Sequence, residues 1–185
     1  MADDVQARKR DEAPLQKKLE DLYALIDGIE VAMMTTRRPD GQLVSRAMQT
    51  QERRAQADLW FVTNVESHKL EELAHDPHVN LAYYKDRTRE WVSVSGTAIL
   101  TRDRDLVHGL YKPDWKAWFG DEGGERNGGP DDPRIALILV EANSVVYSKK
   151  DRPALVAAFQ IARAMIGGGE PTVADLRTIR EDELR

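Results

Sequence analysis

The sequence predicts a mainly β protein, an antiparallel barrel with helices at its periphery. Short runs rich in β-branched and aromatic residues recur along the chain, and turn residues separate several of them. Helical periodicity is confined to three or four segments, without regular alternation of strand and helix. About six strands joined in this way favour an antiparallel barrel over a doubly wound parallel sheet.

Composition and charge narrow the class of protein. A length of 185 residues, 41% of them hydrophobic, fits one domain with a core of its own. The net charge of -5, with Lys and Arg scattered among acids, predicts no nucleic-acid partner. The sequence has no cysteine, which excludes disulfides and thiolate catalysis, so redox chemistry would need a bound cofactor. The charged start and the lack of a long apolar run predict a cytoplasmic protein with no membrane segment.

Six segments have the composition or alternation of β-strands. The clearest is the run LWFVTN, in which aromatic and β-branched residues follow one another. Gly96 lies within an alternating run, where a bulge or a close backbone approach is expected. The last segment is predicted either as one strand bent near Asn143 or as two strands joined there. The predicted strands cover residues 31–36, 43–51, 59–64, 79–84, 91–101 and 135–147.

Helical spacing of apolar residues predicts the peripheral helices. They cover residues 15–27, 67–76, a patch around 106–110, and a last segment that follows Pro153 and ends at 167–169. Segment 120–133 has no periodicity and is interpreted as a mobile surface loop, and the tail after Glu170 is predicted to be weakly helical at best. The predicted domain organisation is a flexible N-terminal segment (1–14), a barrel domain (15–166) and a C-terminal tail (167–185).

Arg46 is the first candidate for a binding site. Its period-two neighbours are Val44, Met48 and Thr50, so its charge is directed towards the same side as core residues. A charge in that position needs an anionic partner. The partner is either an acidic residue at the barrel rim or an anionic ligand.

The corner at residues 63–69 is the second candidate. It places hydroxyl groups and Lys69 at the start of a predicted helix, where free backbone N–H groups favour a phosphate. In the alternative interpretation, Ser67 caps the helix and Lys69 is a solvated residue of its first turn. A lysine in a first helical turn is electrostatically unfavourable unless an anion lies beside it, which favours a phosphate site.

Several sequence pieces together carry a resemblance to a known family. The pieces SRAMQ, LWFVTN, SHKLEEL, DPHVNLAYY and VSVSGTAIL, with KAWF and DDPR downstream, resemble the general stress protein branch of the pyridoxamine 5'-phosphate oxidase-like superfamily. The resemblance extends from residue 22 to residue 147. It implies a six-stranded antiparallel Greek-key split barrel that forms a homodimer and binds a flavin at the subunit interface. The implied cofactor is FMN, with FAD as the alternative.

The resemblance also implies which residues contact the flavin. Arg46 and Lys69 would bind the phosphate, with Ser67 and His68 beside them. Trp91 would reach the ring from the second subunit, and Trp118 would stack on it as a lid; packing in the core or at the rim is the alternative role for both. The remaining implied contacts, along the ring and ribityl chain, are Ala47, Met48, Gln49, Val62 and Thr63.

Some positions depart from the family pattern. Ser148 follows Tyr147 where family members often have a tryptophan, and His68 replaces an arginine, which removes a permanent charge at neutral pH. The residues that hold pyridoxal phosphate near the C terminus have no equivalent here, so vitamin B6 synthesis is not expected.

The remaining polar motifs do not predict a functional site. Pro77 interrupts the helix that would align His75 and His78, so no metal site is predicted. The acidic pairs Asp103/Asp105 and Asp131/Asp132 are interpreted as helix-start and loop-solvating residues.

Three functions remain open at this stage. The first is a flavin-dependent oxidoreductase that uses a reduced nicotinamide or a similar donor, with no catalytic side chain identified. The second is a non-catalytic protein that stores flavin or senses it during stress. The third is a structural dimer without a cofactor, whose melting temperature flavin would not change.

Overall fold

The computed structural model describes residues 13–53, 58–150 and 175–184. Within these ranges the chain forms the strands β1 (Val31–Arg37), β2 (Leu43–Gln49), β3 (Leu59–Asn64), β4 (His78–Lys85), β5 (Glu90–Thr101), β6 (Ile135–Lys149) and β7 (Asp175–Ile179). The helices are α1 (Leu15–Asp27), α2 (Lys69–His75), α3 (Arg104–Leu110), a 3-10 turn (Pro113–Trp115), α4 (Lys116–Phe119) and α5 (Glu181–Leu184). None of the described helices is long and apolar enough to span a membrane.

The strands form one open sheet in the order β2-β1-β4-β5-β6-β3, with β7 paired to β6. The three strand pairs with a defined register, β1 with β2, β3 with β6 and β6 with β7, are antiparallel. The predicted mainly β fold with peripheral helices is therefore confirmed. The segment 135–149 is one continuous strand, the first of the two predicted alternatives.

The seventh strand corrects the prediction for the tail. Residues after Glu170 were expected to be weakly helical, but Asp175–Ile179 pairs with β6 from Val145↔Ile179 to Lys149↔Asp175. The strand is short, and its inward side carries the charged Arg177 beside Ile179. An alternating pattern that includes a charged residue does not by itself predict a buried face, because the charge needs a partner of opposite sign. The partner of Arg177 is Asp21, which lies in α1.

The described residues group into two compact units, one drawn from 1–29, 82–94 and 144–185, the other from 30–81 and 95–143. In the first unit α1 buries one side, which carries Leu22, Leu25 and Ile26. The buried Asp21 of that side forms ion pairs with Arg177 of β7 and with a lysine of β6. These contacts join α1 to β6 and β7 within this unit.

In the second unit, β1 and β2 form a hairpin, and β3 pairs with β6 from Leu59↔Val140 to Asn64↔Ile135. A cluster of buried residues fills this unit: Trp60, Val107, Leu110, Trp115, Phe119, Ile135 and Leu137. The rings of Trp60 and Trp115 meet edge to face at 6.1 Å between centroids. An added Cβ at Gly96 would lie 2.4 Å from the backbone oxygen of Glu141, which confirms the expected close backbone approach.

The two acidic pairs have different roles. Asp103 accepts a hydrogen bond from the Leu106 N–H at 3.1 Å and so begins α3 as predicted. Asp132 was expected to be solvated in a mobile loop, but it is fully buried and pairs with Arg134 at 2.7 Å. That expectation was wrong because the buried guanidinium of Arg134, just after the loop, pairs with the Asp132 carboxylate. The helix predicted after Pro153 lies outside the described residues.

Candidate functional site

A cavity of about 380 Å³ lies beside β2 and β3, the two end strands of the sheet order. Just beyond β2, the Gln51 N–H donates to the Trp60 carbonyl of β3 at 3.1 Å, so the two strands are close at one end. All the residues that line the cavity belong to the second unit: Val31, Ala47, Met48, Gln49, Gln51, Val62, Thr63, Asn64, Lys69, Asp114, Trp115, Trp118 and Phe119. The volume is within the range of cavities that hold small molecules and cofactors.

Aromatic side chains form one wall of the cavity. Trp115 and Phe119 are buried, whereas the Trp118 side chain is 80% exposed. The Trp115 indole N–H donates to the Gln51 side chain at 3.3 Å, which ties this wall to the end of β2. A wall of large apolar rings suits a flat aromatic ligand.

Lys69 is the cation that lines the cavity. It is the first residue of α2, and its ammonium group donates to the Thr63 hydroxyl of β3 at 2.9 Å. Burial and the nearby Arg46 charge both lower the pKa of Lys69, and Glu72 partly offsets them. An anion placed beside Lys69 would stabilise the charged ammonium group and raise its pKa again.

Arg46 lies on the inward side of β2 and is held by two residues. Its Nη1 donates to the Thr36 hydroxyl at 2.6 Å, and its Nη2 pairs with the Glu72 carboxylate at 2.6 Å. The Thr36 hydroxyl donates to the same carboxylate oxygen at 2.5 Å, so the three side chains form a closed ring of hydrogen bonds. The acidic partner that was one of the two alternatives for Arg46 is therefore present, and it is Glu72 of α2.

Glu72 remains ionised in this ring. Burial acts to raise the pKa of its carboxyl group, but the hydrogen bonds from Thr36 and Arg46 outweigh that effect and hold the pKa below its usual value. The cluster of Arg46, Lys69 and Glu72 therefore carries two positive charges and one negative charge, and the cavity lining adds the carboxylate of the exposed Asp114. The donors that this cluster offers to a ligand are the Lys69 ammonium group and the N–H groups of Arg46 that the ring does not use.

Helix α2 links the two cations. Arg46 binds Glu72 of α2 at 2.6 Å, and Lys69 lies three residues before Glu72 in the same helix. The charge of Arg46 also contributes to the lowered pKa of Lys69. Helix α2 has only seven residues, so a phosphate site here would depend on the two side-chain charges more than on the helix dipole.

Ser67 does not cap α2. The helix begins at Lys69, and the preceding His68 has helical angles and no capping side-chain bond. The Asn64 side chain instead accepts from the Glu66 N–H at 2.8 Å and organises the turn, so the Ser67 hydroxyl is not used as a cap. The alternative interpretation of Ser67 as a helix cap was therefore wrong.

The structure brings most of the predicted flavin contacts to one cavity. The residues from the prediction that line it are Ala47, Met48, Gln49, Val62, Thr63, Lys69 and Trp118. Arg46 adjoins the cavity through its neighbour Ala47, while Ser67 and His68 lie in the turn before α2 and are not among its lining residues. Trp91 is half-buried on β5 and is also not one of the described lining residues, so its role across a subunit interface stays a prediction.

The predicted flavin contacts omitted six residues that line the cavity and one residue, Glu72, that holds Arg46. The six lining residues are Val31, Gln51, Asn64, Asp114, Trp115 and Phe119. The spacing of Trp115, Trp118 and Phe119 is helical, which was a usable signal within an otherwise irregular run. The role of Glu72 had no such signal, because an acidic residue of a helix has many possible partners in the fold.

A second cavity, of about 560 Å³, is larger but chemically less suited to a flavin. It is lined by residues of the second unit that include Arg37, Asp76 and Asn80, and its lining contains no Trp, Tyr or Phe. The Arg37 charge is paired with Asp76 at 3.2 Å. Asp76 also contacts the His78 ring at 2.7 Å, and the described residues contain no group of three potential metal-binding acids or histidines. The cavity beside β2 and β3 is therefore the candidate site.

Comparisons with known proteins agree with this architecture. The model of the pyridoxamine 5'-phosphate oxidase-like family matches residues 17–172, and the chain belongs to that family. Protein bli-3 of Neurospora crassa is 39% identical over 183 residues, which cover 97% of this chain and 88% of that protein.

Two crystal structures confirm the predicted split-barrel fold. A Clostridium acetobutylicum protein related to general stress protein 26, of the pyridoxinephosphate oxidase family, has a TM-score of 0.65 at 17% identity, over 91% of this chain and 98% of that one. A pyridoxamine 5'-phosphate oxidase-related, FMN binding protein from Nostoc punctiforme has a TM-score of 0.53 at 17% identity, over 74% of this chain and 84% of that one. At this identity the likeness concerns the fold alone.

Proposed function

We propose that the cavity beside β2 and β3 binds FMN and that the protein is a flavin-dependent oxidoreductase of the general stress protein type. The observation that carries the proposal is a cavity with an aromatic wall that Lys69 of α2 lines, while Arg46 is bound to Glu72 of the same helix. Phosphate needs such cations, and a flavin ring needs such a wall. The FMN-binding relative of the same fold supports the choice of ligand.

Each residue has a distinct part in this proposal. Lys69 donates to the phosphate, and Arg46 contributes the N–H groups that Thr36 and Glu72 leave unused among the described residues. Ser67 and His68 lie in the turn before α2, and the proposal places their side chains beside the same oxygens. Trp118 covers the ring, and Ala47, Met48, Gln49, Val62 and Thr63 line the remaining walls.

Bound flavin would supply hydride and electron transfer, and the protein would supply orientation and exclusion of water. A reduced nicotinamide is the proposed donor. FMN is favoured over FAD because the proposal assigns Arg46 and Lys69 to a single phosphate, and FMN carries one terminal phosphate.

A second candidate function is flavin binding without turnover. The ionisable residues that line the cavity are Lys69 and Asp114, and Lys69 is assigned to the phosphate. Apart from Lys69, the lining offers the exposed Asp114 as its one candidate acid or base among the described residues. A protein that stores or senses flavin needs no acid or base, so this function is the alternative.

We also propose a cytoplasmic homodimer in which Trp91 of one subunit approaches the flavin of the other. The side chains of Val31 and Met33 on the outer side of β1 are 40% and 44% exposed, and Val31 lines the cavity. Exposed apolar side chains beside a ligand cavity are typical of an interface. Light scattering of the purified protein should give twice the chain mass, and Trp91→Ala should weaken flavin binding without dissociating the dimer.

The proposal is tested on purified protein by its visible absorption and by titration with FMN and FAD. Arg46→Ala combined with Lys69→Ala should weaken FMN binding at least about tenfold. The matched control is Arg37→Ala combined with Lys112→Ala, which removes the same charge from ion pairs with Asp76 and Glu52. Equal affinities in both double variants would refute the phosphate assignment.

Anaerobic addition of reduced nicotinamide separates the two functions. Bleaching of the flavin absorption within seconds supports the oxidoreductase. A stable yellow complex that no donor bleaches supports storage or sensing, and a colourless protein that FMN does not stabilise refutes both.

A further inference from the structure

A buried arginine closes the carboxyl end of α4, the helix that carries two residues of the cavity wall. The Arg134 side chain is 2% exposed. Its Nη1 donates to the Phe119 carbonyl at 2.8 Å and its Nη2 to the Gly120 carbonyl at 3.0 Å. A helix end leaves such carbonyls without partners, and a cation there is also favoured by the helix dipole. Arg134 therefore fixes the backbone on which Trp118 and Phe119 stand.

Asp132 holds the guanidinium in place. Its carboxylate is fully buried and accepts from Arg134 Nε at 3.0 Å and from Nη2 at 2.7 Å, a bidentate pair. It also accepts from the backbone N–H of Gly128 at 2.7 Å. The hydrogen bonds from Arg134 outweigh burial and lower the pKa of Asp132 to about 2, so the pair stays ionised at neutral pH.

The guanidinium has no donor left for a ligand. Nε is used by Asp132, Nη2 by Asp132 and the Gly120 carbonyl, and Nη1 by the Phe119 carbonyl and Glu122, the last at 2.7 Å. An arginine has five N–H donors, and these contacts use all of them. Arg134 thus acts on protein groups and is not itself a phosphate ligand.

The loop before Asp132 supports α4 from another side. Gly128 packs so closely on the helix that an added Cβ would lie 3.0 Å from Lys116 Cα. The Tyr111 hydroxyl donates to the Gly128 carbonyl at 3.0 Å and fixes the loop in turn. Since α4 is a single turn of four residues, it cannot hold its own conformation and depends on these contacts.

We propose that Arg134, held by Asp132, is a positioning residue for the flavin cavity, because it sets where α4 places Trp118. The Trp118 side chain is 80% exposed and has little core packing to hold it, so its location depends on the α4 backbone. Phe119 is held additionally by the guanidinium, which lies 5.8 Å from the centre of its ring. This inference rests on the proposed flavin site and assigns part of that site to residues outside the cavity lining.

The first test needs no flavin. Protein labelled with 5-fluorotryptophan gives a 19F signal for Trp118, identified by its loss in Trp118→Phe. The charge-balanced variant Asp132→Asn with Arg134→Met should shift that signal and leave the signal of the core residue Trp60 in place. The matched control is Arg126→Ala, since Arg126 lies in the same loop and its side chain binds Glu122 and Glu66. An unchanged Trp118 signal in the charge-balanced variant overturns the inference.

The second test measures FMN affinity in a double-mutant cycle. The charge-balanced variant should weaken FMN binding at least about tenfold when Trp118 is present, and less than about twofold in a Trp118→Ala background. An equal loss in both backgrounds would mean that the pair acts through general stability, which overturns the inference. Arg134→Lys, which keeps the charge but not the bidentate fork, should give an intermediate loss and provides a folded variant if the other does not fold.

The two failures are distinguishable. If the wild-type protein binds no FMN, the proposed function fails, and the 19F signal of Trp118 still decides whether Arg134 positions the wall. If FMN binds but neither the signal nor the cycle responds to Arg134, the positioning role fails and the flavin site stands.

Discussion

Replacing Lys69 by methionine separates its role in binding from its role in stability. Methionine keeps the apolar stem and removes the charge. Among the described residues the Lys69 ammonium makes one hydrogen bond, to Thr63, and burial with the Arg46 charge lowers its pKa, so the unliganded protein gains little from the charge. We therefore expect Lys69→Met to retain or slightly raise the melting temperature of the unliganded protein.

The same substitution should lower the affinity for FMN. A hydrogen bond between two charged groups contributes about 1.5–3 kcal/mol, which corresponds to roughly 10- to 150-fold in the dissociation constant. Riboflavin lacks the phosphate and serves as the internal control. Fluorescence titration should show that Lys69→Met reduces FMN affinity by that factor and leaves riboflavin affinity nearly unchanged.

Lys112→Met is the control variant, because Lys112 pairs with the exposed Glu52 at 3.0 Å and does not line the cavity. An equal loss of FMN and riboflavin affinity in Lys69→Met would show that Lys69 shapes the cavity and does not bind the phosphate. A large fall in melting temperature would show that the electrostatic description of the unliganded site is wrong.

Three further predictions concern charge and packing. A bound phosphate raises the pKa of Lys69, which is lowered in the free protein. FMN affinity should therefore be full below the pKa that Lys69 has in the free protein, and it should fall as the pH rises through that value. Calorimetry at several pH values should find no such fall in Lys69→Met. Asp132→Ala removes the buried carboxylate that pairs with Arg134 and leaves the half-exposed Glu122 as its remaining acidic partner among the described residues, which should lower the free energy of unfolding by about 3–5 kcal/mol in urea. In the wild type the Asp132 contribution is present above its unfolded pKa and should be lost only as the pH falls towards about 2, which acid unfolding monitors. Gly96→Ala places a Cβ against the Glu141 carbonyl and should cost about 1–3 kcal/mol; a neutral effect would contradict the close approach.

Local patterns predicted the elements whose signals lie within a few residues. The helix Leu15–Asp27 and the strand Leu59–Asn64 have the predicted bounds, because apolar spacing alone determines them. The predicted start of the helix over 67–76 was less accurate, since α2 begins two residues later, at Lys69. Those two residues belong to the turn that follows Asn64. The hydrogen bond from the Glu66 N–H to the Asn64 side chain organises this turn, and the spacing of apolar residues does not predict such a bond.

The parts that sequence reasoning missed depend on distant ion pairs. Arg46 binds Glu72, and the inward charge of Arg177 is acceptable because Asp21 meets it. Each pair joins residues far apart in the chain, and one sequence does not show which of many acids a given arginine meets. Asp132 and Arg134 are near in sequence, but their burial follows from the fold of the loop around them.

A crystal structure of the protein grown with FMN tests the central claim most directly. The account predicts a phosphate within hydrogen-bond distance of Lys69 Nζ and an Arg46 nitrogen, with the flavin ring against Trp118. A flavin bound in the cavity lined by Arg37 and Asn80, or a phosphate turned away from both cations, would contradict it.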